Sequence, residues 1–330
     1  MKTNESSKVK FLIIRFSSIG DIVLTTPVIR CIKTQVEGAE IHFAVKSRFK
    51  EVLQANPYID KIHSLDKNLE MLVRELKKEN IDYIIDLHRN IRSFRVKLAL
   101  RRLSFSFNKL NVRKWIRVNL KWNKLPDIHI VERYFETVKY FSVDNDNKGL
   151  DYFIRPEDEY DLGLKANLKT GKIVSVVIGG GHYTKQIPLE ILNILIRNIQ
   201  GSVILLGGKE DISKAGNLTT GQNIFNLVGK LNIGQTASVI KQSDVIVTPD
   251  TGAMHIASAF KKNVVSVWGN TIPEFGMYPY LPGPDSKLFQ IEKLYCRPCS
   301  KIGFSKCPEK HFRCMRDHNA ELIANAVNSI

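Results

Sequence analysis

The chain has 330 residues, with 49 Lys and Arg against 33 Asp and Glu and a formal net charge of +16. Its 43% hydrophobic and 25% charged residues are the composition of a soluble globular protein, long enough for two domains. No apolar run reaches the ~20 residues of a membrane-spanning helix, and the polar first ten residues lack a signal-peptide core, so neither a spanning segment nor secretion is expected.

In chain order, residues 9–16 read as a buried strand running into the loop Ser17-Ser-Ile-Gly-Asp21. A helix over 21–36 follows, with Pro27 in its early turns, then a strand over 40–45 and a helix near 48–55. Residues 67–78 form a charged amphipathic helix, and 81–87 a strand that ends in Asp86-Leu-His-Arg-Asn90. Residues 131–141 read as helical. The polar stretch 142–149 breaks the alternation and reads as a linker, which divides the chain into 1–150 and 151–330. The alternation then restarts. A β-branched strand over 172–178 runs into Gly179-Gly-Gly-His-Tyr-Thr-Lys185, a helix covers 189–199, and a strand over 202–206 ends in Gly207-Gly-Lys-Glu210. Strands at 244–247 and 263–267 and a helix over 317–330 complete the second half. Such β-α-β alternation predicts two doubly wound α/β domains facing across a cleft.

The charge is uneven. No acidic residue lies between Asp86 and Asp127, an interval that holds twelve Lys and Arg residues with Phe94, Phe105, Phe107, Trp115 and Trp122 among them. The basic segment 89–124 is expected to attract a polyanion, since one-signed runs repel themselves unless a partner screens them; a merely solvated face is the plainer reading. An anionic membrane surface, a phosphorylated glycolipid or a nucleic acid would each satisfy it.

Four segments carry candidate chemistry. Asp21 follows a strand and a tight turn, where it can act as a general base or simply cap the helix. In Asp250-Thr-Gly-Ala-Met-His255, Gly252 keeps bulk away from a ligand and the following helix presents free N–H groups to a phosphate. His255 adds a donor there, or is a structural histidine. The Gly179 loop with Thr184 and Lys185 suits a diphosphate, although the Walker spacing is absent and a flexible hairpin is the alternative. Glu210 is placed to accept from sugar hydroxyls. Cys296, Cys299, Cys307 and Cys314 have spacing that fits a structural zinc site or, equally, four reduced thiols. Asp144-Asn-Asp146 has the D-x-D form of metal-dependent sugar transferases but sits in the expected linker, not after a strand.

Taken together, Ile13-Ile-Arg-Phe-Ser-Ser-Ile-Gly-Asp-Ile-Val-Leu-Thr-Thr-Pro27, the run from Thr248 to Ala259, Val264-Val-Ser-Val-Trp-Gly-Asn-Thr-Ile-Pro273 and the cysteine-bearing tail resemble the bacterial lipopolysaccharide heptosyltransferases of glycosyltransferase family 9. The resemblance implies a GT-B fold, an acceptor-binding N-terminal domain and a C-terminal domain for the nucleotide-sugar. It implies inverting transfer of heptose, or a related sugar, from ADP-heptose to the growing lipid A–core acceptor. Asp21 falls at the proposed catalytic base. Thr184, Lys185, Glu210, Asp250, Thr251, Gly252 and His255 fall at donor contacts. Ser18, Gly20, His88, Arg89 and Arg92 are assigned to the acceptor. No cofactor is required in this picture, no nucleic acid is expected, and the enzyme is cytoplasmic and peripheral to the inner membrane. Two departures stand out: Lys185-Gln-Ile-Pro188 where the family commonly has Lys-x-Trp-Pro, and Gly269-Asn-Thr271 where it often has Gly-Pro-Thr. A nucleotide-sugar epimerase and a basic nucleic-acid-binding protein are the other readings.

Overall fold

In a computed structural model that describes residues 8–166, 168 and 171–330, the chain forms two units. The first runs to Lys109 and includes Ile128–Phe153; the second comprises Leu110–Asp127 and Ile154–Ile330. The stretch 110–127 therefore interrupts the first unit in sequence while belonging to the second.

The first unit contains β1 (Val9–Ile14), α1 (Ile19–Val23), α2 (Thr26–Gln35), β2 (Ala39–Lys46), β3 (Lys61–Leu65), α3 (Leu69–Lys78), β4 (Tyr83–Asp86), α4 (Ile91–Leu100) and β5 (Leu103–Ser106). After the excursion through α5 (Asn111–Asn119), α6 (Ile130–Phe135) closes it. All its strands are parallel, in the order β3-β2-β1-β4-β5. The central strand β1 pairs Phe11 with Ile41 on one side and Tyr83 on the other. Helices cover both faces of such a sheet, which is why Phe11–Ile14 is an unbroken buried apolar run. The helix expected over 21–36 is two helices. The hydroxyls of Thr25 and Thr26 turn back onto the carbonyls of Ile22 and Val23, and Pro27 is tolerated in the first turn of α2. The helix expected at 48–55 is a short 3-10 turn, Ser47–Val52.

The stretch 142–149 is not a linker. The buried guanidinium of Arg30 on α2 holds both carboxylate oxygens of Asp146, the Gly149 carbonyl and Asp151. A buried cation needs such partners, and they fasten the stretch to the first unit. Asp146 is thereby occupied structurally, well away from any D-x-D role.

The second unit holds α7 (Leu162–Ala166), β6 (Ile173–Val177), α8 (Leu189–Asn198), β7 (Ser202–Leu206), α9 (Ile212–Ala215), β8 (Ile224–Asn226), α10 (Ile233–Gln242), β9 (Val245–Pro249), α11 (Gly252–Ala259), β10 (Asn263–Trp268), β11 (Lys287–Gln290), α12 (Arg313–Arg316) and α13 (Ala320–Ser329). Its parallel strands run β11-β10-β9-β6-β7-β8. A core of Val174, Val176, Leu192, Leu195, Val245, Val247, Ile323 and Val327 welds the sheet to α8 and α13.

Both sheets have the doubly wound strand order, in which connections leave in opposite directions from a central strand. In the first unit the order reverses between β1 and β4; in the second, between β6 and β9. Ligands of such sheets bind at the carboxyl ends of the strands beside that reversal. The loops that follow these four strands are 15–18, 87–90, 178–188 and 250–251. They are the loops singled out from the sequence.

Candidate active site

In the first unit the site is organised by Arg15, a buried charge one residue beyond β1. Its Nε donates to the Ser17 carbonyl (2.8 Å), and Nη1 donates to the Leu87 carbonyl and to the Tyr134 hydroxyl (3.2 Å). Its Nη2 pairs with Asp21 Oδ1 at 2.5 Å. The other Asp21 oxygen accepts the Ser18 N–H (3.1 Å) and the Ser18 hydroxyl (2.7 Å), a capping box on α1. Burial alone would raise this carboxyl; Arg15 and the two Ser18 donors override it and hold Asp21 at about 2. Asp21 is therefore both a cap and an ionised carboxylate at a strand's carboxyl end. Gly20 is buried beside it, and Ser18 is exposed.

His88 sits after β4, edge-on to Phe16 with ring centroids 5.4 Å apart. Burial, then the charges of Arg15 and Lys109, push its imidazole down to about 3, so it is neutral. Its Nδ1 is buried without a hydrogen-bond partner. The loop is shaped by Asp86, fully buried, which accepts the N–H groups of His88 (3.0 Å) and Arg89 (2.6 Å) and the Ser93 hydroxyl (2.9 Å) and pairs with Lys97 (3.0 Å). Arg89 is exposed and donates to the Phe107 carbonyl. Arg92 projects from the exposed side of α4. Its charge, with that of Arg48 and after burial, lowers the pKa of Lys46, so these three cations form one cluster.

In the second unit, Lys185 Nζ contacts Asp250 Oδ2 at 2.6 Å, and the same oxygen accepts the Thr271 hydroxyl at 2.9 Å. Asp250 precedes α11, whose N-cap, Thr251, shares a hydroxyl contact with Thr248 at 3.0 Å. A Cβ on Gly180 would lie 3.6 Å from the Thr251 methyl, so the glycine loop runs alongside the start of α11. A Cβ on Gly179 would fall 2.0 Å from the Asp211 carboxylate, which no side chain tolerates. Gly252 opens α11, and His255, on its first turn, is buried. Thr184 is buried too. Its hydroxyl accepts the Phe304 N–H at 2.8 Å, which ties it to the 304 loop. Glu210 is exposed after β7, its carboxylate folded over Gly208, where a Cβ would lie 2.4 Å from it.

Among the described residues, no group of three or more His, Cys, Asp or Glu side chains is placed to hold a metal ion, so Cys296, Cys299, Cys307 and Cys314 stand in the arrangement of the reduced-thiol alternative. They are free thiols. Cys314 is part of the apolar core and Cys307 packs against it, while Cys296 lies 3.8 Å from His311 Nε2. Burial, then the charges of the neighbouring cysteines, pushes Cys299 and Cys314 up to about 12.

The sequence model of glycosyltransferase family 9 (heptosyltransferase) matches residues 70–306, well over half of the chain. The chain belongs to glycosyltransferase family 9. It is 26% identical over 297 residues to lipopolysaccharide heptosyltransferase 1 of Campylobacter coli, covering 79% of this chain and 84% of that one. Among solved structures it resembles the family 9 glycosyl transferase of Veillonella parvula, with a TM-score of 0.80 and 19% identity over 97% and 96% of the two chains. It also resembles ADP-heptose lps heptosyltransferase II of Escherichia coli, with a TM-score of 0.71 and 18% identity over 97% and 98%. The fold is accordingly GT-B, two Rossmann-like domains, and the protein is a glycosyltransferase of a lipopolysaccharide-synthesising family. Family membership sets aside the epimerase reading and that of a binding protein without enzymatic activity.

The two departures from the family 9 pattern have structural consequences. Ile187 is fully buried in the core of the second unit, so the common Trp position is a packing position here. Asn270 is buried, and neither its Oδ1 nor its Nδ2 has a hydrogen-bond partner. Sequence reasoning passed over Arg15, Asp86, Thr271 and Asn270. Arg15 had a signal: it is the one charge in the apolar run 11–16, and a charge in a buried strand demands a partner.

Proposed function

We propose that this family 9 enzyme transfers a heptose from ADP-heptose, the donor named for the E. coli relative, to a phosphorylated lipid A–core acceptor, by a single displacement that inverts the anomeric carbon. The acceptor hydroxyl oxygen attacks C1 of the sugar. The bond from C1 to the diphosphate oxygen breaks, ADP leaves with the electron pair, and the hydroxyl proton passes to Asp21. A carboxyl held near 2 is a weak base. It suffices because the attacking oxygen gains oxonium character as its bond to C1 forms and sheds its proton late. Arg15 keeps Asp21 ionised and oriented. Ser18, Gly20, His88, Arg89 and Arg92 are assigned to the acceptor, and the cations Lys46, Arg48 and Arg92 suit its phosphates.

The observation that carries this reading is the Lys185–Asp250 pair at the start of α11. A diphosphate arriving there exchanges places with the carboxylate on Lys185 and meets the free N–H groups of the first helical turn. Asp250 retains the Thr271 hydroxyl. Thr251, Gly252 and His255 line the same helix start, Thr184 positions the lysine loop, and Glu210 accepts from sugar hydroxyls. The charge developing on ADP is met by Lys185 and backbone amides.

The basic segment supports peripheral attachment to the cytoplasmic face of the inner membrane. No helix among the described residues is long and apolar enough to cross a bilayer. α5 buries none of its residues; it exposes Val112 and Trp115, and the stretch after it exposes Leu120 and Trp122, among Arg113, Lys114, Arg117, Lys121 and Lys124. α4 exposes Ile91, Phe94 and Leu98 beside Arg92 and Arg95. Apolar and aromatic side chains ringed by cations are what an anionic lipid surface binds.

The test is transfer from ADP-heptose to a deacylated core acceptor by purified enzyme. Lys185→Ala is expected to weaken ADP binding, read by titration calorimetry, at least tenfold and to reduce transfer further. Wild-type affinity for ADP in that variant would remove the basis of the donor assignment.

A further inference from the structure

Besides the loops above, the second unit has a cavity of about 340 Å³ between α5 and the segments that follow β10 and β11. Arg117, Lys121, Lys293 and Arg297 contribute four cations to its wall, and none of the four forms an ion pair among the described residues. Lys121 Nζ donates to the carbonyls of Cys296 (3.0 Å) and Pro298 (2.8 Å). Arg297 donates to the carbonyls of Gly269, Ile291 and Thr271 and to Gln290 Oε1. Arg117 Nη1 donates to the Lys121 carbonyl, and its Nε is buried without a partner. Carbonyls thus hold Lys121 and most of Arg297 in place, and the four cations outnumber the two carboxylates of the same wall, Glu274 and Glu292, of which Glu274 acts on Arg297 without pairing with it. An anion that enters makes charge-assisted hydrogen bonds in place of neutral ones.

The rest of the wall selects more than a bare anion. Glu274 and Glu292 also line the cavity, and they accept hydrogen bonds from hydroxyls. Tyr295 offers an exposed ring, and a second cavity of about 380 Å³ adjoins across Lys121 and Tyr295. Cations, hydroxyl acceptors and an aromatic face on one wall match a sugar that bears a negative group. The cavity lies beyond the carboxyl ends of β10 and β11, the same edge of the sheet as Asp250. It is joined to Asp250 through Arg297, which donates to the Thr271 carbonyl while the Thr271 hydroxyl donates to Asp250.

We propose that this cavity is a subsite for a phosphorylated or carboxylated sugar of the acceptor, recognised by Arg117, Lys121 and Lys293 through the anion and by Glu274 and Glu292 through hydroxyls. The proposal rests on the transferase reading above. It also gives α5 a double role: its exposed Trp115 faces lipid while Arg117 faces the sugar that the lipid carries.

The test is calorimetric titration of the full chain with glucose 6-phosphate, glucuronate, glucose and inorganic phosphate, with ADP as a separate probe of the Lys185 loop. The two anionic sugars are expected to bind, and glucose and phosphate at least tenfold more weakly. Arg117→Gln and the more exposed Lys293→Gln should each weaken the anionic sugars about tenfold, with ADP binding reporting that the second unit is folded. Displacement of glucose 6-phosphate by a deacylated, phosphorylated core oligosaccharide identifies the acceptor as the source. Binding without displacement assigns the cavity to a soluble sugar phosphate and overturns the acceptor proposal. Equal affinity for phosphate and glucose 6-phosphate, or no binding of either anionic sugar while ADP still binds, overturns the subsite and leaves the donor assignment standing. Failure of ADP itself to bind counts against the transferase reading instead.

Discussion

Replacing Asp21 by Asn tests catalysis and folding through one atom pair. Asp21 is held at about 2 against an ordinary 3.8, a difference worth about 2 kcal/mol at 1.36 kcal/mol per unit. The substitution also leaves the Arg15 guanidinium buried without its counter-charge, although Ser17, Leu87 and Tyr134 still accept its N–H groups. Breaking a buried pair from one side costs about 3–5 kcal/mol; with three acceptors retained, the loss here is about 2–3 kcal/mol. Over a 330-residue chain the melting midpoint should fall roughly 3–4 °C. The folded carboxyl lies below its unfolded value, so the pair stabilises above pH ~4, and that stability drains away as the pH falls toward 2. The variant should lack this portion of the acid slope. Loss of a general base costs about 10²–10⁴ in kcat, so ADP release driven by acceptor should drop at least a hundredfold, assayed at a temperature where the variant's own melting curve shows it folded. ADP affinity should persist, because Lys185 and Asp250 belong to the other unit. Transfer at the wild-type rate would refute the base assignment. An unchanged melting midpoint and acid slope would refute the account of the ion pair.

Three further outcomes are open to measurement. The double variant Trp115→Ser, Trp122→Ser should lose most of its co-sedimentation with phosphatidylglycerol vesicles, and wild-type binding should itself decline steeply as salt screens the surrounding cations; equal sedimentation of both proteins would exclude α5 as the contact. Arg30→Leu strands Asp146 and Asp151 and should destabilise the first unit by about 3–5 kcal/mol, with cleavage appearing at 142–149 under limited proteolysis; a resistant variant would show that other contacts hold this stretch. Asn270→Leu removes a buried amide with no hydrogen-bond partner and should raise the melting midpoint by the equivalent of about 1 kcal/mol, read by calorimetry; a lowered midpoint would mean that the amide is satisfied in solution.

The strand-loop-helix units were legible because a parallel strand covered on both faces must be a short continuous apolar run, and the loop after it must bring small or capping residues. Phe11–Ile14 into Asp21, Val174–Val177 into Gly179 and Val245–Val247 into Asp250 each read this way. β3, β5, β8 and β11 were not legible. Lys61–Leu65 and Lys287–Gln290 are short edge strands with two apolar residues each, too few for a strand pattern, and neighbouring strands, not their own residues, select their conformation.

By itself, the chain's residue order determined the doubly wound class, the loops that bear the chemistry and the family resemblance, all of which depend on local spacing. Only the tertiary structure decided which charges meet. Arg15 and Asp21 lie six residues apart and pair directly, yet Arg15 is also locked by Leu87 and Tyr134. Lys185 finds Asp250, 65 residues away, and Arg30 finds Asp146, turning an apparent linker into a packed strap. Leu110–Asp127 joins the second unit although the first flanks it in sequence. Charge pairing acts over a few ångströms of space, and separation along the chain carries no record of it.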